Sequence, residues 1–230
     1  RDTDRSRGLG DVYKRQMYFI GVAFCAFANM ATSAASRFFS FFGIEYNVDF
    51  GETPKGFFGF LLCLLSTVIT PALIEEFAFR GIVLGSLKKY GEGFAVLVSS
   101  ILFGLMHGNF EQIPFAFLVG LVLGLITVKT DSILIACAVH GTNNLVSVIF
   151  DFIPSGISQA AQNIMYLIFL LICLTLGILA LALSEKSNEM FKLKKDSCES
   201  KLKERFKWFF TSPVIIIFIV ICIFESLAYF

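Results

Sequence analysis

The sequence predicts an all-α fold, a polytopic transmembrane bundle of about seven apolar spans, on three observations. Of 230 residues, 56% are hydrophobic and only 16% are charged, against roughly 25% charged in an ordinary soluble domain. Mean hydropathy is +0.76. The apolar runs approach the ~20 residues that cross a ~30 Å hydrocarbon core, and the loops between them alternate in charge. A net charge of +1 excludes the basic footprint of a nucleic-acid partner, so the expected surroundings are a lipid bilayer. Six cysteines are scattered through the chain without a CxxC pair. They read as small packing residues rather than a redox or zinc centre.

In chain order, residues 1–16, RDTDRSRGLGDVYKRQ, are polar and join abruptly to an apolar run at Met17. They read as a truncated or non-native leader and are set aside. The apolar runs are 17–42, 57–74 with a continuation to about residue 87, 94–106, 114–128, 132–150, 163–183 and 213–230. The organisation that follows is a transmembrane bundle over 17–183 with a core at 57–150, a polar segment at 184–212 and a C-terminal transmembrane helix at 213–230. Runs 94–106 and 114–128 are short; either their flanks lengthen them, or they are partly re-entrant under a cover of protein.

Lys88, Lys89, Lys129 and the eight basic residues of 185–207 fall on one side of this layout. Glu45, Asp49, Glu52, Glu111 and Asp151 fall on the other, where Lys55 is the only basic residue. Short cytoplasmic loops carry the excess of Lys and Arg, which puts the basic side in the cytoplasm. The stretch 185–207 mixes charge with Phe191, Leu193, Leu202 and Phe206, as either a helix lying at the cytoplasmic surface or a solvated linker does.

Ionisable groups inside apolar spans cost about 2.5–3.5 kcal/mol each on insertion scales and therefore mark function. Three groups stand out. In Ile74-Glu75-Glu76-Phe77-Ala78-Phe79-Arg80, Glu76 and Arg80 are spaced to pair on one helix face, while Glu75 is turned about 100° away. Phe103-Gly104-Leu105-Met106-His107 puts an aromatic ring one turn before a histidine, and His140-Gly141-Thr142-Asn143-Asn144 puts His140 and Asn144 on one face. The chain has only two histidines, and both lie in or next to apolar runs. Gly81/Gly85, Gly104/Gly108 and Gly120/Gly124 are small-xxx-small pairs of the kind that let helix backbones approach in lipid.

Amide hydrolysis needs a nucleophile, a proton acceptor and an oxyanion stabiliser. No serine or cysteine sits in a nucleophile motif, so the nucleophile is an activated water. Glu75 is the expected general base, His107 holds or polarises the water, and His140 with Asn144 forms the oxyanion site. Glu76 and Arg80, with Phe103 behind His107, support the arrangement. Counting ~1.5 Å per residue puts Glu75 near the cytoplasmic surface, His140 about 12 Å deep and His107 about 20 Å deep. One site requires a common level, so the helix bearing Glu75 is expected to run well past Arg80 towards Leu87.

Glu75-Glu76-x-x-x-Arg80, Phe103-x-x-x-His107 and His140-x-x-x-Asn144 resemble, in order, the three motifs of the CPBP intramembrane proteases. That group holds type II CAAX prenyl endopeptidases, bacteriocin-processing enzymes and Abi proteins. The resemblance covers about residues 57–150 and implies a glutamate-and-histidine water-activating intramembrane endopeptidase. It carries roles onto Glu75, Glu76, Arg80, His107, His140 and Asn144. The first apolar region is shorter than in many relatives, as if N-terminal helices were missing. A metal-free mechanism is favoured, since H-E-x-x-H is absent; the alternative is zinc on Glu75, His107 and His140 with an open water position. The expected substrate is a membrane-associated peptide or protein, and the expected place a bacterial cytoplasmic membrane. Two other readings fit buried polar groups: a non-catalytic immunity or scaffold protein, and a proton-coupled transporter, although no inverted repeat is visible.

Overall fold

The computed structural model describes residues 2–42, 54–109, 112–154, 156–184, 191–194, 198 and 200–227. Glu45, Asp49, Glu52, Glu111 and residues 185–190 of the polar segment lie outside the described residues. Every regular element described is helical. In chain order they are α1 (Asp2–Phe41), α2 (Gly56–Tyr90), α3 (Glu92–Met106), α4 (Gln112–Thr130), α5 (Ile133–Asp151), α6 (Gln159–Ala182), α7 (Leu202–Phe210) and α8 (Pro213–Leu227). Five helices are long and apolar enough to cross a membrane, α7 and α8 make a sixth candidate bent by 69°, and α3 is a shorter apolar helix. The seven apolar segments read from the sequence are thus all helical.

The boundaries moved outward from the apolar runs. Residues 2–16, set aside in the sequence, continue α1 upstream of Met17. Run 114–128 is lengthened by its flanks to the 19 residues of α4, because backbone helicity does not stop where apolarity does. Helix α2 continues past Arg80 to Tyr90, as expected from the apolar character of residues 77–87. Two stretches of it, Leu64–Ile69 and Phe77–Leu84, are π-helical. Such i→i+5 turns are rare, and they occur frequently at functional sites.

The chain divides into two units. The first comprises Arg1–Phe27, Gly51–Ala78 and Leu125–Phe191. Its helices meet at small residues. A Cβ on Gly21 would stand 2.7 Å from Ile126 Cδ1, and one on Gly177 would collide with Ala23. Ala26, Leu170 and Cys173 form a buried cluster beside Val22, Phe169 and Leu174. Tyr18 Oη and Thr142 Oγ1 share a 2.8 Å hydrogen bond that ties α1 to α5. Helix α6 starts where Ser158 Oγ accepts from the Ala161 N–H, a standard N-cap.

The second unit comprises Ala28–Phe50, Phe79–Gly124 and Lys192–Phe230. Here α3 and α4 pack through the glycines that the sequence singled out. A Cβ on Gly104 would lie 3.0 Å from Ile113 O, one on Gly120 3.1 Å from Ser100 Cα, and one on Gly124 3.2 Å from Val96 Cγ1. At Gly85 the nearest neighbour is Arg80 O of its own helix, at 3.9 Å, so that glycine serves no helix contact of this kind. Large apolar side chains point outward along α2 and α6, among them Phe58, Leu62, Ile74, Ile168 and Ile178. Such exposure suits lipid and would be a liability in water.

Candidate active site

In the first unit, α2 and α5 cross at Ala72 and Gly141, where a Cβ on Gly141 would stand 3.4 Å from Ala72 Cβ. Small residues at the crossing let longer side chains on either side reach across. His140 reaches Glu76: its Nδ1 lies 2.9 Å from Glu76 Oε1. A carboxylate only accepts, so Nδ1 carries the proton of that bond. The other ring nitrogen, Nε2, stands 3.9 Å from Glu75 Oε2. The histidine is thus bracketed by two glutamates that are adjacent in sequence. Glu76 is fully buried and the His140 side chain nearly so, whereas the Glu75 side chain keeps 24% of its surface exposed. Glu75 is therefore the carboxylate that an incoming molecule can approach.

Asn144 lies one turn beyond His140 on α5 and donates Nδ2–H to Thr67 O at 2.9 Å. That carbonyl belongs to the first π-helical stretch of α2, four residues before Pro71. Proline has no N–H to return to the carbonyl four residues back, and its ring crowds that oxygen. Asn144 thus gives Thr67 O a donor from another helix, one turn before Pro71. A role for Asn144 in holding α2 was not visible in the sequence, where it figured only as an oxyanion donor. The Pro71 break was the available signal.

In the second unit, His107 caps the C-terminal end of α3. Its Nδ1 bonds Phe103 O at 2.9 Å. A carbonyl only accepts, so Nδ1 is the donor, and Nε2 of the neutral ring carries the lone pair. The Phe103 ring meets the His107 ring edge to face at 5.0 Å, and the Arg80 guanidinium lies over the Phe103 ring, 4.2 Å from its centroid. Arg80 also donates Nη2–H to Gly120 O at 3.3 Å. Ser99 Oγ, on α3, donates to Phe79 O at 3.0 Å, beside Arg80. Arg80 thus supports His107 through an aromatic ring, a cation–π stack that the helical spacing of Glu76 and Arg80 did not suggest.

The turn after His107 is built for closeness. Gly108 has φ +62°, and a side chain there would meet Glu225 Oε2 at 3.1 Å. Asn109 closes the turn: Nδ2 donates to His107 O at 3.1 Å, and Oδ1 accepts from the Gln112 N–H at 2.7 Å, starting α4. Glu225 was passed over in the sequence, although a carboxylate within the run IFIVICIFESL is the same signal of an ionisable group among apolar neighbours. Among the described residues, no group of three or more His, Cys, Asp or Glu side chains could hold a metal ion.

Comparison with known proteins follows the same residues. The family model "Type II CAAX prenyl endopeptidase Rce1-like" matches residues 57–146, which contain all three motifs. The membrane-embedded CAAX protease MroQ of Staphylococcus aureus (strain USA300) is 32% identical over 114 residues, 45% of this chain and 46% of that protein. YdiL of Bacillus subtilis (strain 168) is 28% identical over 95 residues, 41% of this chain and 38% of that protein. The chain thus spans less than half the length of these curated relatives. No solved structure matches it significantly.

Proposed function

We propose, from the Rce1-like character of residues 57–146, that this membrane protein is an intramembrane endopeptidase cleaving membrane-associated peptides or proteins with an activated water. The observation that carries the reading is His140, hydrogen-bonded through Nδ1 to buried Glu76 while Nε2 faces the accessible Glu75. This is a carboxylate–histidine arrangement with one carboxylate to spare. Glu75 takes the proton of the water as general base while the water oxygen adds to the carbonyl carbon, and returns that proton to the departing amine as the C–N bond breaks. His107, its Nδ1–H fixed on Phe103 O, leaves the Nε2 lone pair to accept a proton or a hydrogen bond. In its doubly protonated form His140 keeps Nδ1–H on Glu76 and presents Nε2–H to the developing oxyanion. Asn144 acts beside it with the second amide hydrogen, the first being held by Thr67 O.

The reaction uses no metal in this reading, and the basic loops face the cytoplasm. The substrate is a leader-bearing peptide or a membrane protein, since both curated relatives are bacterial. The test is cleavage of a membrane-associated peptide panel by the full chain in lipid bilayers. Glu75→Ala and His107→Ala are expected to abolish turnover while the protein still inserts and folds. Full activity in either variant rejects the site.

A further inference from the structure

Away from these motifs, the second unit contains a cavity of about 640 Å³ where α7 turns into α8. Its walls are of two kinds. Leu87, Phe94, Phe209 and Val214 make an apolar side, and Ser200, Glu204 and Arg205 make a polar one. Arg205 is 8% exposed and fixed in place, donating Nε–H and Nη2–H to Ser200 O at 3.1 and 2.9 Å and Nη1–H to Tyr90 O. Phe94 is clasped from α7 by Phe206 at 5.1 Å and Phe209 at 6.3 Å between centroids. Residues 201–207 hold Lys201, Lys203, Arg205 and Lys207 against the single carboxylate of Glu204.

We propose that this cavity binds one anionic phospholipid with a hydroxylated headgroup. An amphipathic basic helix lies at the membrane interface, where anionic headgroups collect around Lys and Arg. The 69° bend between α7 and α8 brings an interfacial helix and an apolar helix to the same cavity, so a molecule inside has its head beside one and its chain along the other. The phosphate meets Arg205 and its positive surroundings. Headgroup hydroxyls donate to Glu204 Oε and Ser200 Oγ, a pairing that a head without hydroxyls cannot make. An acyl chain fills the space between Leu87, Phe94 and Val214. A diffuse basic surface would attract the same lipids without a cavity, and the experiment separates the two.

Trp208 borders the cavity and is the only tryptophan in the chain, so its fluorescence reports on this site alone. The full chain is reconstituted in phosphatidylcholine bilayers containing equal fractions of chain-brominated phosphatidylglycerol or chain-brominated phosphatidylethanolamine. Quenching is expected to show about a fivefold preference for phosphatidylglycerol, the ratio that one cation beside an anionic headgroup supplies. Ser212→Phe, which fills the cavity and keeps every charge, is expected to abolish the preference. Val214→Phe fills it from the apolar side and serves if the first variant fails to fold by circular dichroism. Lys203→Gln with Lys207→Gln, both outside the cavity wall, keeps the preference. Equal quenching by the two lipids, a preference that survives filling, or one lost with the two lysines alone would overturn the site. Displacement by chainless glycerol phosphate would assign it to a free phosphate and overturn it equally.

Discussion

His140 is the residue through which the two glutamates acquire different work. Its Nδ1 is committed to Glu76 and its Nε2 faces Glu75, so removing either carboxylate leaves a different defect. Glu76→Gln keeps an acceptor oxygen but no charge, and a lost orienting partner of this kind typically costs about 10–100-fold. The expected result is that fall in kcat with KM little changed. Glu75→Gln removes the proposed base, where losses of about 10²–10⁴-fold are typical. Equal kcat losses in the two variants would contradict the division of labour. That both glutamates and both histidines were candidates was legible from their cost in apolar segments. The bond of Glu76 to His140 was not, because it spans 64 positions of sequence. Arg80 shows the same limit: its aromatic partner, Phe103, lies on another helix, and no rule of i, i+4 neighbours reaches that far.

At the scale of the element, the feature of α2 that can be tested is its first π-helical stretch before Pro71, tied to α5 by Asn144. Thr67 O receives Asn144 Nδ2–H, and leaving such a carbonyl unmatched costs about 1–3 kcal/mol. Asn144→Leu is therefore expected to destabilise the protein by that amount. In the Pro71→Ala background the restored N–H serves the α2 backbone, and the same Asn144 change costs measurably less. A double-mutant cycle by thermal unfolding in detergent micelles checks this; strictly additive losses would show that the two residues are independent. Activity is a separate readout, since the proposed oxyanion role predicts that Asn144→Leu stays slow even where stability returns. In the second unit, Gly120→Leu is expected to disrupt the α3–α4 contact, because even a Cβ there lies 3.1 Å from the Ser100 backbone. Overpacking of this kind costs about 1–3 kcal/mol. Proline and glycine punctuation made both contacts partly readable in the sequence. The π-helical turns were not readable, since apolar periodicity over six or eight residues does not separate 3.6 from wider windings.

For the whole molecule, hydrophobic run length was sufficient to find seven of the eight helices described; the amphipathic α7 was left open between a surface helix and a linker. Run length failed at helix ends, because caps and flanks such as Ser158 and Gln112 are polar and carry no hydropathy signal. Orientation is a statement about charge, and Cys198 offers a direct test of it. This thiol sits in the basic stretch between α6 and α7, is partly accessible and is hydrogen-bonded to Ser200 Oγ, whereas the other five cysteines lie within helices. If the Lys- and Arg-rich loops are cytoplasmic, a membrane-impermeant maleimide should label Cys198 in inverted vesicles and leave it unlabelled in intact cells. Cys198→Ser should remove that labelling, identifying the reactive thiol. The opposite pattern would turn the molecule over. Because α2, α5 and their glutamates and histidine turn with it, it would also move the expected substrate to the far side of the membrane.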